Sequence, residues 1–173
     1  MTGRIGGHRV SKDTLYIEAC GSLDELNALI GLVRSYQLPD RVDKVLQLVQ
    51  DDLFTIGAQI ATPEGKDRAN QGIRDEDVRI LEEEIDSFEE NLTPLKQFIL
   101  PGGAIQGAAL HFLRTVARRA ERRCVGLSQI EKLDPCILRY LNRLSDLCFV
   151  MARYANLQKS IPESHPSFGK KRA

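Results

Sequence analysis

At 173 residues, 42% hydrophobic and 28% charged, the chain has the composition of a soluble globular protein with room for one well-filled core, and disorder across its body is excluded. Lysine and arginine number 24 against 24 for aspartate and glutamate, which excludes the global positive field of a protein that coats nucleic acid. No apolar run reaches the length of a membrane span, and the first residues lack the basic-then-apolar pattern of a signal peptide, so a cytoplasmic protein with no membrane partner is expected.

Apolar residues recur at helical spacing along almost the whole chain and no stretch sustains the alternation of a half-buried strand, so the expected fold class is all-α. Ser22, with Glu25 three residues on, has the form of a capping box and opens a first helix, which carries Leu26, Leu29, Ile30 and Val33 on one face and ends at Pro39. Asp40 caps a second helix running to about residue 60, with Val42, Val45, Leu46, Val49, Leu53 and Ile56 inward; the polar loop "TPEGKDRANQG" follows. Asp75 caps a third, whose Val78, Leu81, Ile85 and Phe88 face the core while Glu82, Glu83, Glu84, Glu89 and Glu90 form a solvated side. "FILPGG", residues 98–103, stops the chain at a Pro-Gly-Gly turn before a fourth helix over 104–127. Asp134 and Pro135 give a cap and first turn for a fifth, with Leu138, Leu141, Leu144, Leu147, Met151 and Tyr154 on its apolar side. Beyond Asn156 the period stops, so residues 1–156 form the helical bundle and 157–173 a flexible C-terminal tail. Long helices joined by short turns predict an up-and-down bundle of five helices.

The fourth and fifth helices carry more polar residues than a plain bundle needs. "ARRAERR", residues 117–123, holds Arg118, Arg119, Arg122 and Arg123; with Arg114 upstream, Arg114, Arg118 and Arg122 form one helical ladder and Arg119 and Arg123 a neighbouring one. Like charges at this spacing repel unless something negative sits against them: protein carboxylates, a nucleic-acid backbone or a bound polyphosphate. A salt-bridge network with the acidic third helix is the plainest of these. His111 and Glu121 share the first ladder's stripe, and Asn142 and Asp146 lie four apart on the fifth helix. Asp24, in the first turn of the helix read from Ser22, suits the helix dipole, and Phe98 suits the core. Arg9 and Lys12 in "GGHRVSKD" flank a glycine pair but match neither a Walker loop nor a dinucleotide fingerprint. Cys20, Cys124, Cys136 and Cys148 form no Cys-x-x-Cys pair and read as reduced thiols, and no protein-held transition-metal set is visible.

Four blocks, "GGHRVSKD" (6–13), "EACGSLDELNALIGL" (18–32), "FILPGG" with "LHFLRTVARRAERR" (98–123), and "YLNRLSDLCFVMARYAN" (140–156), together resemble the ATP:cob(I)alamin adenosyltransferase family of the PduO type. The resemblance implies a five-helix bundle assembling as a homotrimer with active sites between neighbouring subunits. It implies transfer of the 5′-deoxyadenosyl group of ATP, bound with magnesium, to cob(I)alamin, giving adenosylcobalamin and triphosphate. Carried over by position, Arg118 and Glu121 resemble the nucleotide and magnesium contacts, with Glu121 the metal-side residue and Arg122 and Asn142 completing the ATP pocket. Lys12 lies on the nucleotide side. Arg114 resembles the residue that pairs with Asp24 across the subunit boundary, and Phe98 the aromatic that covers the lower corrin face and excludes its axial base. Asp146 matches an acidic position. A reductase and an adenosylcobalamin-dependent acceptor enzyme are the further partners implied.

Two features depart from the family pattern. Met1 and Thr2 fall where the family's Thr-Arg-Thr-Gly-Asp-x-Gly-x-Thr phosphate segment ends, and Tyr16 stands where arginine is common. The alternative is a non-catalytic bundle that senses nucleotide or cobalamin. A nucleic-acid contact is opposed by zero net charge and by the lack of stacking aromatics near the arginines.

Overall fold

The computed structural model describes residues 1–3, 9–62 and 72–167. Its five helices are α1 (Leu15–Arg34), α2 (Asp40–Ala61), α3 (Asp75–Glu89), α4 (Ile105–Ser128) and α5 (Pro135–Gln158). The strands among the described residues are β1 (Thr2–Gly3) and β2 (Arg9–Val10), a two-residue antiparallel pair with Thr2 opposite Val10. The all-α reading therefore holds for the body of the chain. Most of the expected 62–72 loop lies outside the described residues.

Contacts between helices fix their directions. Asn27 Nδ2 donates to Gln50 O at 3.2 Å while Arg34 Nε meets Asp43 Oδ1 at 2.8 Å, so α1 and α2 run antiparallel. Asn142 Nδ2 meets Glu121 Oε1 at 3.0 Å and Asn156 Oδ1 meets Ala104 N at 2.9 Å, so α4 and α5 do too. Arg139 with Asp75 and Arg143 with Glu82 set α3 parallel to α5. The result is an up-down-up-down-up bundle in which α4 lies between α1 and α5, and α3 covers the outer side of α5. Leu26, Ile30, Leu46, Ile56, Leu110, Leu113, Leu141 and Leu144 are fully buried at its centre. Each such side chain contributes about 1.5–3 kcal/mol relative to exposure, which is why the apolar period dominates the fold.

Helix starts depart from the sequence reading at three places. α1 begins at Leu15, with Thr14 Oγ1 accepting from Ile17 N at 3.4 Å, not at Ser22. Tyr16, Ala19 and Leu23 continue the buried face upstream, so the helix runs through the Ser22–Glu25 pattern. Asp40 and Asp75 are the first helical residues and not the caps; Pro39 and Arg74 hold the cap positions, and Asp77 Oδ2 accepts from Arg74 N at 2.8 Å. Residues 159–167, expected within the flexible tail, turn back along the 98–103 segment, where Leu100 N donates to Ser164 O at 2.7 Å.

α4 has no side-chain cap of its own. Asn156, on α5, supplies it from across the bundle: Oδ1 accepts from Ala104 N and Nδ2 donates to Gly102 O, both at 2.9 Å. The approach is close. Gly103 takes φ +107°, which favours glycine, and a Cβ at Gly103 or Gly107 would fall 2.3 or 2.1 Å from Asn156 Oδ1.

At the start of α5 the Asp134–Pro135 reading holds, with Asp134 Oδ1 accepting from Cys136 N at 2.9 Å. Asp134→Ala is expected to lower stability by about 1 kcal/mol, the ordinary loss for an N-cap. Urea denaturation checks this, and an unchanged midpoint would remove the cap from the stabilising contacts.

Candidate functional site

The arginines of α4 divide into two sets. Arg119 Nη2 meets Glu25 Oε2 at 2.6 Å and Arg123 Nε meets Glu18 Oε2 at 3.3 Å, so one ladder is matched by carboxylates of α1. Arg114, Arg118 and Arg122 pair with no carboxylate among the described residues. The expected network with α3 is thus corrected: the carboxylates that meet α4 come from α1, because α3 lies against α5. There Glu82 takes Arg143 at 3.1 Å, and Glu84 takes Arg41 of α2 at 2.8 Å.

Arg114 and Arg118 line a groove of about 330 Å³ between α3, α4 and α5, together with Glu89 of α3 and Arg143, Ser145, Asp146 and Phe149 of α5. Asp146 Oδ2 accepts from Arg143 Nη1 at 2.7 Å. Further along the α4–α5 seam Glu121 Oε1 accepts from Asn142 Nδ2, which brings two sequence-selected residues together. Arg122 is exposed on the same helix. Lys12 is exposed just before α1 and does not line this groove.

His111, one turn before Arg114, is only 2% exposed, and neither ring nitrogen has a hydrogen-bond partner among the described residues. Burial, with the neighbouring Arg114 charge, lowers its pKa to about 4. The imidazole is therefore neutral at pH 7, and Arg114 remains the cation at this end of the groove. Arg114 Nε is likewise buried without an acceptor.

Asp24 does not occupy the first turn of a helix, since α1 begins at Leu15. It lines a different groove, about 470 Å³ between α1 and α2, among Tyr16, Cys20, Leu23, Leu53 and Phe54. Asp24 and Arg114 thus belong to separate grooves of one chain. Phe98 is not core: it is 79% exposed on the segment before the Pro-Gly-Gly turn. Arg143, Ser145 and Phe149 join the groove without having been selected from sequence, because nothing local separates them from an ordinary helix surface. Asn156 escapes sequence reasoning for a related reason: its partners lie 52 and 54 residues away.

One carboxylate with an amide beside it suits a magnesium ion that arrives on phosphate oxygens, since magnesium keeps several waters and takes only one or two protein carboxylates. Glu121 Oε2 has no partner among the described residues, which leaves it available for such an ion.

The fold and site together define a helical bundle whose fourth helix carries a guanidinium ladder that forms no ion pair among the described residues. The cobalamin adenosyltransferase family model matches residues 1–155, and the chain belongs to that family. A corrinoid adenosyltransferase of Bacillus subtilis is 41% identical over 165 residues, covering 93% of this chain and 84% of that protein. A variant PduO-type ATP:corrinoid adenosyltransferase from Lactobacillus reuteri, solved with cobalamin and ATP, superposes with a TM-score of 0.89 at 34% identity, covering 95% of this chain and 93% of the other. A second variant of that enzyme, complexed with ATP, gives the same TM-score and identity over 96% of this chain and 94% of its own.

The depressed pKa of His111 has a thermodynamic consequence. Between pH 4 and 6.5 the unfolded chain binds the proton that the folded chain refuses, so this contribution is complete above about pH 6.5 and is lost as pH falls towards about 4. The loss should reach about 3 kcal/mol at most. His111→Leu should flatten the acid limb of a stability-against-pH curve from chemical denaturation; parallel curves for the two proteins would show that His111 is protonated in the fold.

Proposed function

We propose that this protein transfers the 5′-deoxyadenosyl group of ATP to cob(I)alamin, giving adenosylcobalamin and triphosphate. Membership of the family supports this reading, and the observation that carries it is the unmatched Arg114, Arg118 and Arg122 ladder beside the Glu121–Asn142 pair. In the transfer, the cobalt(I) electron pair forms the bond to the 5′ carbon while the carbon–oxygen bond breaks, and its electrons leave with triphosphate. Negative charge grows on the leaving group, so guanidinium groups fixed in place stabilise the transition state more than the ground state. Arg118 and Arg122 would hold the polyphosphate, Asn142 would orient the Glu121 carboxylate, and Lys12 would add a charge on the nucleotide side. Magnesium bound with ATP would offset further phosphate charge, with Glu121 as its protein ligand.

On this reading Phe98 covers the lower face of the corrin and keeps the axial base away, so that cob(II)alamin can be reduced by a partner reductase. Its exposure supports a role at a ligand surface over a role in the core. The active enzyme is a homotrimer in which Asp24 of one subunit pairs with Arg114 of the next. Their separate grooves support this, as does the absence of any ion pair to Arg114 among the described residues. Phe54, 74% exposed beside Asp24, supplies apolar surface for the same contact. Four cysteines that form no disulfide among the described residues support a reducing, cytoplasmic setting, and no helix among the described residues is long and apolar enough to cross a membrane. An adenosylcobalamin-dependent enzyme would accept the product.

Arg118→Ala should lower transfer about a hundredfold or more, the usual effect of removing one charge-assisted donor from a developing anion at about 2–4 kcal/mol, with an unchanged fold. The assay is anaerobic, with ATP and chemically reduced cobalamin, following the alkylated product by its spectrum. Near-parental turnover would return the ladder to a structural role, and ligand binding without product in the parent would favour the sensing alternative.

Phe98→Ala should depress transfer from cob(II)alamin with a reductant far more than transfer from preformed cob(I)alamin. The thermal midpoint should barely move, since little burial is lost at so exposed a position. Equal losses from both starting states would remove Phe98 from the corrin side.

In light scattering at micromolar concentration the protein should have three times the 19.4 kDa chain mass. A monomer mass would overturn the shared site.

A further inference from the structure

Phe98 owes its position to its backbone. The side chain is 79% exposed, Lys96, Gln97 and Leu100 around it are exposed as well, and a cavity of about 190 Å³ lies between the turn, the start of α4 and residues 162–164. Packing therefore cannot set where the ring stands. What holds the segment is a small set of hydrogen bonds, all from residues far away in sequence.

At its start, Arg153, 5% exposed on α5, donates to Thr93 O at 2.7 Å. At its end, Asn156, one turn of α5 further on, takes Gly102 O and Ala104 N. Between these anchors the chain after α5 runs alongside: Leu100 N donates to Ser164 O, and His165 Nδ1 lies 2.9 Å from Phe98 O. A carbonyl oxygen only accepts, so this His165 nitrogen carries the hydrogen. Glu163 ties the returning chain back to Arg153, which closes the circuit on α5.

We infer that Asn156 and His165 are positioning residues for Phe98, fixing from α5 and from the returning segment 161–165 the height at which the ring meets a flat ligand. The inference rests on the proposed corrin-covering role of Phe98. It adds that the setting is made by the Asn156 clamp at the turn and by the His165 contact at the Phe98 carbonyl. Neither residue touches the ligand in this assignment. A displacement of about 1 Å in a positioning group is enough to cost a large factor in rate, so loosening either contact should act on the step that Phe98 controls and spare the others. The narrow clearance at Gly103 and Gly107 fits a clamp of defined reach, because any side chain there would drive Asn156 off the turn.

The test uses the full chain and five proteins: parent, Asn156→Ala, His165→Ala, Phe98→Ala, and the double variant Asn156→Ala with Phe98→Ala. Each is assayed from cob(II)alamin with a reductant and from preformed cob(I)alamin, with a melting curve without ligand. Asn156→Ala should lower the cob(II)alamin rate about tenfold and His165→Ala about threefold, while the cob(I)alamin rate stays within about twofold. In the Phe98→Ala background, Asn156→Ala should bring no further change in the ratio of the two rates, because a residue that acts only through Phe98 has nothing left to position. Equal losses from both starting states, or losses that multiply in the double variant, would overturn the inference. Should Asn156→Ala fail to fold, His165→Ala, at an exposed site, decides by the same ratio. If Phe98→Ala shifts the ratio and neither positioning variant does, the positioning role alone falls; if Phe98→Ala leaves the ratio unchanged, the corrin-covering reading fails and the inference with it.

Discussion

Five arginines within about three turns of one helix are a repulsive arrangement that the bundle resolves only in part. Because α4 lies between α1 and α5, its two flanks see different neighbours. The α1 flank presents Glu18 and Glu25 to Arg123 and Arg119. On the α5 flank, Asp146 is taken by Arg143 and Glu121 accepts from Asn142, and although Glu89 lines the same groove, Arg114, Arg118 and Arg122 form no ion pair among the described residues. Surface pairs of the first kind contribute little, at most about 1 kcal/mol each, and the second set contributes repulsion. The stability of the fold therefore comes from the apolar centre of the bundle, and on the proposed reading the polyphosphate of ATP is the external anion that completes the ladder.

The same geometry accounts for two grooves that are each incomplete. A guanidinium nitrogen buried without an acceptor, as at Arg114 Nε, loses hydration and gains nothing within the chain. Asp24 lies exposed on the other side of the bundle beside apolar surface that the fold leaves uncovered. On the trimeric reading the two grooves answer each other: the Asp24 carboxylate meets the half-buried Arg114 guanidinium, and the contact removes Phe54 from water. Assembly and site formation are then one event, driven by apolar burial and given its register by the ion pair.

What the sequence made legible follows from the range of the interactions involved. The five helices, their buried faces and the Asp134–Pro135 start depend on residues within a few turns of one another, and these stand as read. Ser22 misleads because a capping box is also an ordinary pair of polar helix residues, and the buried run Tyr16, Ala19, Leu23 decides between the two meanings only once α2 and α4 pack against it. The strongly acidic sequence of α3 points to it as the source of carboxylates for α4, but partner choice is tertiary. A parallel α3–α5 pairing directs Asp75 and Glu82 to Arg139 and Arg143. Asn156 lay beyond reach for the same reason, since its pairing with a turn about fifty residues upstream has no local signature. Glu121 and Asn142 belong to blocks specific enough to be read in the sequence, and their hydrogen bond lies on the α4–α5 seam, with Arg118 one turn before Glu121.

Phe98 shows how an apparent defect in folding can be a resource for binding. Burying a phenylalanine contributes roughly 1.5–3 kcal/mol, and the chain leaves most of this unrealised by holding the ring in water at the edge of the bundle. A flat apolar ligand face would recover it. On the proposed reading that recovery falls at the lower face of the corrin, where it opposes the return of the axial base, so the free energy acts on the coordination state of cobalt as well as on affinity. Such a device works only if the ring cannot relax onto its own protein. A backbone tied to α5 at both ends, above a cavity that the ring does not line, meets that condition.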